Sequence, residues 1–88
     1  MEEKIIASFK SRSQMMSFDT ALRRGGVDTD IIPTPKAIAL GCGLSVEFPA
    51  EGLSTAKAII KALNPSAFEG FYSIAEEGKR VKVQKIFG

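Results

Sequence analysis

Cys42 is the only cysteine of the chain and stands between Gly41 and Gly43 in "ALGCGLSVEF". A lone thiol cannot close an internal disulfide, which leaves two uses for it. It can fill core space as a small apolar residue, since free cysteine is among the most buried residue types. Alternatively it can act as a thiolate, provided nearby positive charge lowers its pKa below the usual value of about 8.5. Arg12 and Lys36 are the cations whose segments reach toward Cys42, and Gly41 and Gly43 would leave the backbone around the sulfur uncrowded. A turn leading into a strand explains the two glycines equally well.

Other chemistries lack their residues. The chain has no histidine, so a Cys-His dyad and a His-ligated metal centre are both excluded. One thiolate is too few for a structural zinc site. Asp28 and Asp30 alternate along one strand face, a pattern that ordinarily keeps a strand soluble. No phosphate-binding loop occurs, and "RRGGVD" lacks the strand-to-helix context of a dinucleotide fingerprint. No cofactor and no metal are implied.

With 88 residues the chain is of one-domain size, read as a single domain over residues 1–88. Its apolar fraction of 44% suits a folded core, and its net charge of +2 does not by itself call for nucleic acid or a membrane. The stretch "MEEKIIASFK" begins with acids and has only a short apolar run, unlike a secretory signal. No apolar stretch approaches the ~20 residues that cross a bilayer. The expectation is a soluble cytoplasmic protein.

The elements that must position Cys42 follow from periodicity. Lys4–Lys10 alternates as a strand. Met15, Phe18 and Leu22 repeat at helical spacing behind Ser11, which forms an S-x-x-Q capping box with Gln14. Arg23, Arg24 and Gly25-Gly26 supply the stop. Val27–Pro33 reads as a second strand and Gly43–Pro49 as a third, with Leu44, Val46 and Phe48 on one face. Ala56, Ile59, Ile60 and Leu63 make the apolar stripe of a second helix, closed by Asn64-Pro65. Phe68–Ile74 reads as a fourth strand, "EEGK" as a turn and Arg80–Phe87 as a fifth strand.

The order β-α-β-β-α-β plus a C-terminal strand predicts an α+β, ferredoxin-like fold. Two helices would cover one face of an antiparallel sheet in the order 4-1-3-2. Ile5, Phe9, Phe18, Leu22, Val46, Ile59 and Leu63 would share one core, and the second sheet face would be open and polar. The start of strand three then lies beside the end of strand one, where the first helix presents its positive N-terminal end. Continuing the Leu44, Val46, Phe48 alternation points Cys42 to the helix side. RNA-recognition modules share this topology but display stacking aromatics on the open face. Here Phe9 and Phe48 fall on the core face, and Ser8, Ser45 and Glu47 on the other. RNA recognition is therefore not expected. The basic run Lys79, Arg80, Lys82 and Lys85 would keep an edge strand soluble, although Val81 and Val83 beside it leave room for a weak homodimer.

From about Ile5 to Glu76 the chain resembles the selenium/sulfur carrier-like family of small bacterial and archaeal domains. The resemblance is carried by Phe9-Lys10-Ser11, "GVDTDIIPTPK", "CGLSVEFP" and the helix leading into "FEGFYSI". Its most specific part is a proline-bearing strand end, a short loop, then Cys-Gly before an apolar strand. The resemblance implies a cysteine that carries sulfur or selenium, a role falling here to Cys42 alone. It also implies partner proteins that donate and accept the atom, and at most a transfer activity. The family often has small polar residues ahead of the cysteine, whereas "AIALG" here is more apolar. The alternative class is a non-catalytic regulatory or interaction module in which Cys42 is structural.

Overall fold

The computed structural model describes residues 4–34, 43–77 and 80–87. Strand β1 spans Lys4–Phe9, helix α1 Arg12–Arg24, strand β2 Asp30–Pro33 and strand β3 Leu44–Pro49. A short 3-10 turn, Ala50–Gly52, leads into helix α2, Leu53–Leu63, followed by strands β4, Phe68–Glu77, and β5, Arg80–Phe87. All five strands join one antiparallel sheet in the order β2-β3-β1-β4-β5. The fold is α+β, and β5 pairs with β4 as the sequence led us to expect.

Alternation along β1 puts Ile5, Ala7 and Phe9 in one cluster with Met15, Phe18 and Leu22 of α1. Val46 and Phe48 of β3, Ala56 of α2 and Phe71 of β4 complete it. Both helices therefore feed the same core. Phenylalanine dominates that core: Phe9 lies 5.3 Å from Phe18 between ring centroids, and Phe48 meets Phe71 edge-on at 6.0 Å. Such tilted and edge-on contacts suit the ring quadrupoles and add to the gain from burial.

Three expectations are corrected. Leu63, read as core, is 49% exposed, because the last turn of α2 runs past the buried layer before Asn64 turns the chain in a left-handed conformation. Ile59 and Ile60 pack on the core only partly buried. The second strand is four residues long instead of seven, since residues 27–29 have other work. Val27 packs so closely on Gly52 that a Cβ there would sit 2.8 Å from its Cγ1. Thr29 is held by α1, as described below.

The third correction concerns the face away from the helices, which is not open at its centre. Ile6, Ser8 and Ser45 are all buried there. Ile6 is flanked in register by Glu47 on β3 and Tyr72 on β4, whose long side chains border the central strand from both sides. Phe9 and Phe48 are buried in the helix-side core, as their alternation predicted.

Candidate functional site

The end of β1 and the start of β3 lie side by side: Ser8 opposes Ser45 across one edge and Gly70 across the other. Helix α1 begins at Arg12, three residues after β1 ends, and the Arg12 side chain is exposed. From the end of β2, the Thr34 amide donates to the Gly43 carbonyl at 2.7 Å. Thr34 and Gly43 thus meet at the foot of segment 35–42, which contains Lys36, Gly41 and Cys42 and lies outside the described residues.

Gly43 takes φ +82°, a left-handed conformation that side-chain-bearing residues avoid, and a Cβ there would meet nothing within 4 Å. The residue is glycine for its backbone angle, in open space. That angle also ends the regular alternation of β3 at Leu44. The rule that sent Leu44, Val46 and Phe48 to the helix side therefore cannot be carried back through Gly43 to Cys42.

Sequence reasoning missed a group of hydroxyls at the same foot. Thr34 Oγ1 and Ser45 Oγ lie 2.6 Å apart, and Ser8 stands across from Ser45 in register. On the period-two pattern Ser8 and Ser45 looked like solvent-facing residues, and only their burial identifies them. Hydroxyls can donate to an anion at no net charge cost, so this is a polar floor where three strands end.

Glu69 is the second residue that the sequence did not signal. Ser8 pairs with Gly70 and Phe9 with Phe68, so Glu69 is the extra residue of a β-bulge. Its Oε1 is buried without a hydrogen-bond partner among the described residues. An orphaned carboxylate oxygen costs stability wherever it is buried.

The α1 cap forms by half. Ser11 Oγ accepts from the Gln14 amide at 3.3 Å, as the capping box predicts. The Gln14 side chain does not return to Ser11. Its Oε1 accepts from the Ala67 amide at 2.7 Å, and its Nε2 donates to Ser66 Oγ at 3.1 Å. Gln14 thereby ties the start of α1 to the start of β4, and one end amide of the helix is satisfied by Ser11 itself. At the other end of α1, buried Asp19 accepts from Thr29 Oγ1 at 2.5 Å and pairs with Arg23 Nε at 3.1 Å. That network anchors the approach to β2. Asp28 and Asp30 are exposed beside it, and among the described residues no three acidic, cysteine or histidine side chains gather as a metal site would need.

Residues 4–73 match the family described as "Putative Se/S carrier protein-like". The chain belongs to that family. The matched span runs from the start of β1 into β4, so it takes in β1, β3, both helices and the segment bearing Cys42, while β5 lies beyond it. No curated protein and no solved structure matches the chain.

Proposed function

We propose that this member of the Se/S carrier-like family carries a sulfur or selenium atom on Cys42 as a persulfide or selenopersulfide. The observation that supports it most is that the one cysteine of a carrier-family chain directly precedes Gly43, at the end of the sheet where α1 begins. The Cys42 thiolate attacks the outer sulfur of a donor persulfide. A new S–S bond forms at Cys42, the donor's S–S bond breaks, and the donor leaves as its thiolate. The transferred sulfur keeps its oxidation state, so no external oxidant or reductant is consumed. Attack by an acceptor nucleophile on that outer sulfur then releases Cys42 as thiolate, and the same balance holds for selenium.

Arg12, Lys36 and the N-terminal end of α1 stabilise the anion, while Gly41 and Gly43 give partners access. Thr34 and Ser45, hydrogen-bonded to each other on the sheet's far face, brace the foot of the segment and are not among the groups that hold the anion. The strand order of β1 to β4 supports reading the fold as ferredoxin-like with an added fifth strand. Cytoplasmic residence fits the chemistry, because cytosolic thiol pools keep a lone cysteine reduced. Weak self-pairing along the outer edge of β5, where Ile86 is 39% exposed, belongs to the same reading. Light scattering that stays monomeric at high concentration would remove it.

Incubation with a donor persulfide or selenopersulfide, which already holds the outer atom at the level to be transferred, followed by intact-mass spectrometry, tests the proposal. Native protein gains one chalcogen atom at Cys42, and Cys42→Ser gains none. If the native chain stays unloaded while its thiol still reacts with alkylating agents, Cys42 belongs to a regulatory or structural module instead.

A further inference from the structure

The outer surface of the two helices is shallowly hollowed, and the charges that the helices themselves show to solvent are all positive. Two adjoining hollows of about 360 and 560 Å³ share Ser17 and Leu63 in their linings. Together they form a groove along α1 from Ser13 to Arg24, bordered by the end of α2. Met16 and Leu63, exposed at 42% and 49%, are its apolar contacts, and Ser13, Ser17 and Thr20 are its hydroxyls. Met16 and Leu63 lie together along this one depression, and contiguous apolar surface in a depression is what a binding face offers.

The charge of the two helices around the groove, of whose cations Arg24 lines it, indicates what the groove accepts. The two helices carry Arg12, Arg23, Arg24, Lys57 and Lys61, and their one acid is Asp19. Asp19 is buried and engaged by Arg23, so neither helix shows an acid to solvent. Surface helices usually intersperse both signs, which gives favourable i,i+4 pairs. Here the chain's other nine acids all lie outside the two helices. Two copies meeting through this face would bring like charges together, which argues against self-association there.

We infer that the α1–α2 groove docks an acidic amphipathic helix of a partner protein, with Met16 and Leu63 receiving its apolar stripe and Arg24 meeting its carboxylates. A helix in a groove uses apolar anchors at successive turns, and this groove follows α1 from Ser13 to Arg24 with Met16 and Leu63 along it. Nucleic acid is less suited, because neither hollow is lined by an aromatic ring on which a base could stack. The inference goes beyond the chemistry of Cys42 and does not need that thiol to react.

The probe is a synthetic peptide helix with a Leu/Met stripe and Glu on its other faces, titrated into the isotope-labelled full chain by NMR. Two controls accompany it: a scrambled peptide of equal composition, and a Lys-for-Glu version. The striped acidic peptide should shift amides of α1 and of residues 63–66, more weakly as salt rises, and both controls should leave them still. Leu63→Ser and Arg24→Glu, both at exposed positions, should each weaken binding about tenfold or more while the spectrum stays folded. Cys42→Ser should bind like the native chain, which separates this test from that of the carrier chemistry. No shift with millimolar peptide, equal shifts with the scrambled peptide, or unchanged affinity in both variants would overturn the inference. So would binding of anionic lipid vesicles or single-stranded RNA through these residues without binding of the striped peptide.

Discussion

At the scale of single residues, two features at the end of the sheet where β1 stops and β3 starts, Gly43 and Glu69, have no periodic signature. Gly43 was legible as an unusual position because it adjoins the lone thiol, but its need for a positive φ comes from how β3 begins. Gly43→Ala should destabilise the fold by about 1–2 kcal/mol in chemical denaturation, the cost of a left-handed non-glycine residue. A neutral effect would mean that the backbone relaxes there freely. Glu69 was invisible to pattern reading, because a bulge is set by pairing with a strand some sixty residues earlier in the chain. Replacing its buried oxygen with an apolar side chain, as in Glu69→Met, should raise stability by about 1 kcal/mol. A loss of stability would show that the carboxylate has a partner it needs. For the thiol itself, alkylation rates of native and unfolded chain against pH should place the native midpoint lower. Arg12→Ala and Lys36→Ala should each move that midpoint up.

At the scale of elements, the helices and strands were legible and their outer turns were not. The hydrophobic repeats located α1, α2 and all five strands, since alternation and 3.6-residue spacing are local properties. The ends depend on distant partners: Gln14 spends its side chain on Ala67, and Asp19 binds Thr29 across the α1–β2 turn. An Asp19–Arg23 spacing of four reads in sequence as an ordinary surface pair, and only the fold buries the acid. Gln14→Ala should therefore cost about 1–3 kcal/mol by leaving the Ala67 amide without its acceptor. The α2 stripe divides in the same way. Phe18→Ala, deep in the aromatic core, should cost about 3–5 kcal/mol, whereas Leu63→Ala at the exposed end should stay within about 0.5 kcal/mol. Equal costs in urea titrations would mean that Leu63 is core after all.

At the scale of the whole molecule, the sheet order brings the end of β1, the start of α1 and the start of β3 together, and the proposed carrier chemistry is sited at that end. The topology was legible from the element order, because few arrangements satisfy β-α-β-β-α-β with short connections. The burial of Ile6, Ser8 and Ser45 on the second face was not, since a strand pattern does not reveal what borders its polar side. The resulting molecule separates its surfaces: a cationic helical layer on one side, and on the sheet's far face, at one end, a hydroxyl floor at the foot of the segment bearing Cys42. The central claim is that this cysteine both takes up and gives back a chalcogen atom. Donor-loaded protein, freed of excess donor, can be treated with cyanide, which removes an outer sulfur as thiocyanate and leaves the cysteine as thiolate. The account predicts stoichiometric thiocyanate from the native chain, a Cys42 that can then be loaded again, and none of either from Cys42→Ser. Thiocyanate that never rises above the Cys42→Ser background would contradict it.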